Sequence, residues 1–259
     1  MECLNQQSRQ ADAIVIVDSG STNPSYLTNY QPQENVTVVL AEGDVGFCKG
    51  NNIGLSRMPL KSDYVLFLNP DAFLTPRFIQ EALSLMEDPK HAKWGAVSGT
   101  VLGYDMQANT PTGKYDSTGI FRTWYGHWYD RGQGRGIDEA VFSVQQCVPA
   151  ICAAVIFCRK KALDSILMRE NEVFDNTFYM YKDDIDLSLR LRKKGWMLMF
   201  VPSLMAYHCR GWQRDRSLMP RELRLCSAWN EVRIQKGQHA MIPLLYSLCK
   251  YAAVKYLDK

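Results

Sequence analysis

Residues 13–17 form an unbroken apolar run, Ala13-Ile14-Val15-Ile16-Val17. A β-branched run without polar alternation predicts a strand covered on both faces. It ends in Asp18-Ser19-Gly20-Ser21-Thr22-Asn23-Pro24, a dense turn cluster. Residues 36–40 repeat the strand pattern, and Gly46 to Gly54 open a short helix. A third strand is predicted at 64–68 and an amphipathic helix at 76–86. Strands alternating with helices predict an α/β fold with a mostly parallel central sheet flanked by helices, which binds ligands at the carboxyl ends of its strands. The turn clusters lie at such ends.

Beyond residue 95 the pattern changes. Residues 95–102 predict a strand, and 103–145 read as a long Gly- and Tyr-rich irregular connection. Long loops in compact enzymes are usually functional. An apolar strand is predicted at 148–158, helices at 160–168 and 184–194, and a late strand at 197–201 that ends at Pro202. From Pro220 onward the chain reads as helical and basic.

Composition adds little until charge is divided along the chain. The 259 residues are 46% hydrophobic and 22% charged, with a net charge of +3, as in ordinary globular proteins. Residues 190–259 hold 14 Lys/Arg against 4 Asp/Glu, and the remainder holds 16 against 23. The basic end reads either as a surface for anionic lipid or an anionic acceptor, or as a solvated helical face. No nucleic-acid fold signature accompanies it, so nucleic acid is not expected. The eight cysteines form no C-x-x-C pair and no zinc spacing, and read as reduced, mostly buried thiols of a cytoplasmic protein. No signal peptide is read ahead of the fold, and no apolar run reaches the ~18 to 20 residues needed to span a bilayer.

The candidate chemistry is acidic. Asp71 ends the segment Tyr64-Val65-Leu66-Phe67-Leu68-Asn69-Pro70-Asp71, directly after a strand. A carboxylate there suits Mg²⁺ or Mn²⁺ shared with substrate phosphates, and equally a turn or helix cap. Asp183, Asp184 and Asp186 follow the aromatic stretch Phe178 to Tyr181 at a helix start. The helix dipole favours acids there, but so dense a cluster exceeds capping, and one member could act as a base. Asp184 is preferred, with Asp183 as the alternate. His208 reads as a structural histidine or a metal ligand. Asp18 reads as an Asx-turn or a ligand contact. Gly46, Gly50 and Gly54 lack the dinucleotide-binding spacing, which argues against a nicotinamide oxidoreductase.

In this order the signals resemble a family 2 glycosyltransferase of the GT-A fold, most like bacterial rhamnosyltransferases. The matching pieces are Val17 to Thr22, Gly46 to Gly54, and Leu68-Asn69-Pro70-Asp71 as a D-x-D variant. Tyr115-Asp116-Ser117-Thr118-Gly119, Asp130 to Gly134, Asp183-Asp184-Ile185-Asp186 with Arg190, and Pro202 to His208 complete the set. The resemblance covers residues 4–215, leaving 216–259 as a basic, amphipathic helical extension.

The resemblance implies residue roles. Asp18 contacts the nucleotide base, and Asn51 and Asn69 lie beside the nucleotide sugar. Asp71 binds the divalent metal (Mg²⁺ or Mn²⁺) on the donor diphosphate, and His208 is a second metal or phosphate contact. Asp184 is the general base of an inverting displacement. The implied reaction moves a sugar, with L-rhamnose from dTDP-rhamnose as first choice, to a glycan or lipid-linked acceptor in cell-surface polysaccharide synthesis. Peripheral contact with the inner face of the cell membrane, through residues 240–259, is expected to accompany it.

Two departures from the family pattern stand out. Asp183 replaces the usual Glu. Met1 to Gln7 read as the tail of the first helix, so the family's first strand, central in the sheet, is absent. The expectation is that an upstream extension would raise stability and activity. The alternative function is a non-catalytic glycosyltransferase-like binding protein.

Overall fold

The structure, a computed structural model, describes residues 1–27, 34–139, 141–168, 172–209 and 219–257. The boundary expected between 215 and 216 lies outside the described residues. A short helix α1 (Glu2–Asn5) leads to strand β1 (Ile14–Asp18), which pairs in parallel with β2 (Val36–Leu40). Helix α2 (Gly46–Ser56) packs on β1 and is followed by β3 (Tyr64–Leu68), β4 (Ala72–Leu74) and helix α3 (Phe78–Glu87). Phe78, Ile79, Ala82 and Met86 put one stripe of α3 into the core.

Then come β5 (Trp94–Asp105), β6 (Thr110–Ser117), β7 (Ile120–Arg122), β8 (Trp128–Asp130), β9 (Gln146–Cys147) and β10 (Val155–Arg159). Helices α4 (Lys160–Asp164) and α5 (Asp183–Lys193) precede the long strand β11 (Met197–His208), and α6 (Arg221–Gly237) and α7 (Met241–Tyr256) close the described chain.

The larger sheet has the order β3-β10-β5-β11-β4, with β6 on β5 and β9 on β11. It is mixed. The parallel pairs are β1 with β2 and β5 with β11; β10, β4, β6 and β9 all run antiparallel to their neighbours. Parallel pairing was thus over-read, because a strand covered on both faces looks equally apolar whichever way its neighbours run. The core centres on this sheet. Phe174, fully buried, meets Phe67 and Phe47 edge-on at 5.1 and 5.8 Å. Each such burial contributes about 1.5–3 kcal/mol.

The region 103–145 is more regular than expected, since it holds β6 and the β7–β8 hairpin. The late strand does not stop at Pro202. It runs to His208 through a register shift between Val201 and Met205. The shift drives the Leu204 carbonyl to within 1.6 Å of where a Cβ on Gly99 would lie, so only glycine fits there. Proline lacks the ladder N–H and is tolerated at such an irregularity.

β1 and β2 stand apart from the larger sheet. Among the described residues β1 pairs on one side only, with β2, and β3 only with β10. Ile14 to Val17 and Tyr64 to Leu68 all line one cavity of about 1670 Å³. Successive strand residues point to opposite faces, so a cavity lined by every residue of both strands lies along their hydrogen-bonding edges. An open slot thus separates β1 from β3 along these edges. β1 beside the slot is half-buried, and Leu40 of β2 is 60% exposed, where cover on both faces was expected. The cysteines correct another expectation: Cys48, Cys152 and Cys158 are buried, Cys147 and Cys249 are exposed, and all eight are free.

Candidate active site

Pairing of β11 with both β4 and β5 sets the first half of the site. His208 stands opposite Ala72 on one side and Gly103 on the other, and the Cys209 amide donates to the Asp71 carbonyl at 2.9 Å. This brings His208 Nε2 to 3.3 Å from Asp71 Oδ1. On its other side His208 Nδ1 lies 2.9 Å from Asp116 Oδ2. Asp116 is buried on β6, and its carboxylate receives the Nδ1 proton, which leaves Nε2 facing Asp71. Burial works against an imidazolium here, but the hydrogen bonds to Asp116 and Asp71 outweigh it and raise the His208 pKa to about 9. The Asp71 side chain remains 42% exposed.

The second half of the site is the start of α5. Tyr181 and Lys182 both adopt left-handed backbone, at φ 67° and 68°. Non-glycine residues rarely hold that conformation, and two in a row need external support. Asn230 of α6 supplies it: its side-chain amide donates to the carbonyls of Met180 and Tyr181 at 2.9 and 3.0 Å. The kink turns Asp183 and Asp184 inward. Burial raises the pKa of Asp183, and the neighbouring Asp184 charge adds to it. Burial likewise raises Asp184, helped by the charge of Asp130 at the end of β8. Asp186 turns away to pair with Arg190 at 2.7 Å and serves the helix.

Between these halves lies a cleft of about 1210 Å³, lined by Asp183, Asp184, Asp130, Asp116, His208 and Asn69 among others. Phe47, Asn69, Tyr104 and Met180 line it together with the larger cavity, so the two adjoin. The polar end of that larger cavity holds Ser19, Gly20, Asp44 and Asn51. Gly46, at φ 71°, lets α2 start directly against Tyr179, whose carbonyl accepts the Phe47 amide at 2.9 Å.

Most of the expected site residues meet here. Asp184, Asp183 and His208 share the cleft, Asp71 touches His208, and Asn69 sits where the cavities join. Asn51 lines the larger cavity, its amide donating to the Phe47 carbonyl at 2.9 Å. Asp18 is not brought to the cavity wall: Ser21 N–H and Tyr26 O–H each donate to its carboxylate at 2.7 Å. Those hydrogen bonds, Ser21 first, lower its pKa.

Three contributors were not expected as site residues: Asp116, Asp130 and Asn230. Asp116 and Asp130 did lie in segments that carried the resemblance. Asn230 left a fainter signal, a helix-unfavourable side chain in mid-helix.

A divalent cation fits the donor set. Among the described residues no group of three or more His, Cys, Asp or Glu is arranged to hold a metal. Hard cations that keep waters and take substrate phosphates need only one or two protein ligands, and Asp71 and His208, 3.3 Å apart, are the residues that would hold one.

Residues 1–148 match the model of glycosyl transferase family 2. The chain belongs to that family. Among curated proteins, similar ones include the N-acetylglucosaminyl-diphospho-decaprenol L-rhamnosyltransferases of two Mycobacterium tuberculosis strains, CDC 1551 / Oshkosh and ATCC 25618 / H37Rv. Each is 22% identical over 218 residues, covering 79% of this chain and 69% of the relative. Among solved structures, GalNAc-T7 with UDP, GalNAc and Mn²⁺ superposes with a TM-score of 0.63 at 14% identity. That alignment covers 87% of this chain and 41% of the other, so this chain spans less than half its length. The likeness shows the fold, which is the GT-A fold expected of family 2.

Proposed function

We propose that this family 2 protein is an inverting glycosyltransferase. It moves a sugar from a nucleoside diphosphate donor to a hydroxyl group of a glycan or lipid-linked acceptor in cell-surface polysaccharide synthesis. The observation that carries the reading is that His208, with Asp71 at 3.3 Å behind it, lines one cleft with Asp183 and Asp184. The donor's nucleotide lies in the polar end of the larger cavity, near Asn51 and Asn69, with Asp18 shaping the adjacent turn. Asp71 and His208 hold a divalent cation, Mg²⁺ or Mn²⁺, which when bound neutralises charge on the diphosphate.

The acceptor enters the second cleft, where Asp184 takes its hydroxyl proton. The freed oxygen attacks the anomeric carbon from the face opposite the diphosphate, and the nucleoside diphosphate departs with the bonding electron pair. Burial and the charge of Asp130 keep Asp184 basic, and Lys114 and Arg135 on the cleft wall suit an anionic acceptor. The rhamnosyltransferase relatives support dTDP-L-rhamnose as first-choice donor. Eight free cysteines support a reducing, cytoplasmic location, peripheral at the inner membrane face. No helix among the described residues is long and apolar enough to cross a membrane.

The test is a thermal-shift panel of dTDP, UDP, GDP and CDP with Mn²⁺, repeated with Asp71→Ala. The expected result is a metal-dependent rise with one nucleotide, lost in the variant. No rise with any nucleotide overturns the donor assignment. The second reading, a non-catalytic binding protein, is favoured by the engaged carboxylate of Asp18 and the open slot beside β1. Nucleotide binding without donor hydrolysis or transfer would select it.

A further inference from the structure

Helix α7 leaves an apolar face without a partner among the described residues. Met241, Leu245, Leu248 and Tyr256 are 76, 57, 42 and 73% exposed, and their spacing keeps them on one side of the helix. Ile242, 56% exposed, flanks them. The inner side is committed: Pro243 and Ser247 are buried, Tyr251 packs on Trp229 of α6 at 5.2 Å, and Lys250 pairs with buried Glu231 at 2.5 Å. The outer stripe is therefore not the helix's packing face.

The β7–β8 hairpin extends this surface. Its turn lies against the first turns of α7: Tyr125 meets Tyr246 at 5.0 Å, and a Cβ on Gly126 would come within 2.6 Å of Pro243. Trp124, on the same turn, is 79% exposed. An exposed tryptophan beside an exposed apolar helix stripe is more than scattered surface apolarity.

Charge distinguishes the occupants. Residues 232–257 contain no Asp or Glu; Arg233 pairs with Asp175 and Lys250 with Glu231, so Lys236 and Lys255 are the exposed cations this surface presents. Two copies meeting through this face would oppose like charges with no acid on α7 to pair them. An anionic bilayer supplies both the apolar layer and the counter-charge.

We infer that the outward face of α7 and the Trp124 turn form one docking surface for an anionic lipid bilayer. Helix α7 lies in the interfacial plane, and Trp124 inserts at headgroup level. The same hairpin carries Tyr129 and Asp130 at its other end, on the wall of the cleft that holds Asp184. Docking thus sets the cleft beside the bilayer, where a lipid-linked acceptor would be met. Docking deepens the peripheral membrane location of the proposed function, and the acceptor step rests on that function.

The experiment is co-sedimentation of the full chain with two kinds of vesicle. One is phosphatidylcholine alone, and the other is equal parts phosphatidylcholine and phosphatidylglycerol. Trp124→Ala and the double variant Leu245→Glu/Leu248→Glu are run beside the parent. The expected result is binding to anionic vesicles that salt weakens, reduced about tenfold by Trp124→Ala and more by the double variant. Unchanged circular dichroism and an unchanged nucleotide-induced thermal shift show that the variants are folded.

Three results would overturn the inference: no binding by the parent, equal binding by the variants, or a dimer in solution that the double variant makes monomeric. Docking that is intact while transfer fails on every acceptor would leave the surface standing and count against the proposed function instead.

Discussion

Asn230 donates its side-chain amide to the carbonyl of Tyr181 at 3.0 Å, and so a residue of α6 holds the left-handed turn that aims Asp183 and Asp184 into the cleft. Asn230 is 2% exposed, so its removal leaves those carbonyls without their donor. We expect Asn230→Ala to cost about 1–3 kcal/mol of stability. Turnover should fall more than donor affinity, because the misplaced groups act on the acceptor. Denaturant unfolding beside separate kcat and KM values checks both; an effect on stability alone would make Asn230 merely structural.

Asp183 and Asp184 place a stability cost at the site. Both carboxyls have pKa values raised by burial, and the native state disfavours their ionised forms. The stabilising effect of the protonated forms is complete below the unfolded pKa and is lost as pH rises through the raised native values. At neutral pH Asp183→Asn should therefore raise the melting temperature. Asp184→Asn should lower transfer about 100-fold or more while donor binding persists. A lower melting temperature for Asp183→Asn at neutral pH would contradict the electrostatic account.

His208 titrates in the opposite sense. Its native pKa of about 9 lies above the ordinary histidine value. The stability it contributes is complete below the unfolded pKa of ~6.5 and is lost as pH rises through ~9, on the order of 3 kcal/mol in all. In metal-free buffer Asp116→Asn should flatten this dependence. It should also weaken the Mn²⁺-dependent thermal shift about tenfold in metal concentration, since a ligating imidazole loses its orienting carboxylate. Melting curves from pH 6 to 10 would show it, and a variant curve parallel to the parent's would remove Asp116 from the account.

The slot between β1 and β3 leaves strand edges unpaired. The amides of Ile14 to Val17 and Tyr64 to Leu68 that face it should exchange hydrogen faster than those of β5 and β11. An apolar strand added ahead of Met1 should protect them and raise the melting temperature. Uniform protection across β1, β3 and β5 in the parent would show that the edges are already satisfied.

Much of this was legible along the chain. Asp71 and His208 could be picked out as candidates because each follows a strongly patterned strand, and Asp184 because it stands in an acidic cluster at a helix start. The continuous apolar runs marked the strands for the same reason. Strand direction was not legible, since burial on both faces leaves the same pattern whichever way neighbours run.

What the sequence determined by itself was local: most of the longer apolar strands and helices, where the carboxylates stand along them, and that their order matches family 2. Only the tertiary structure decided which side chains meet. Asp116 reaches His208 through the pairing of β6, β5 and β11, and Asn230 reaches Tyr181 from 49 residues away. Asp18 was likewise claimed by Tyr26 rather than left to the cavity. Hydrogen bonds act over about 3 Å, and distances of that size between remote residues are set by packing, which periodicity along a chain does not encode.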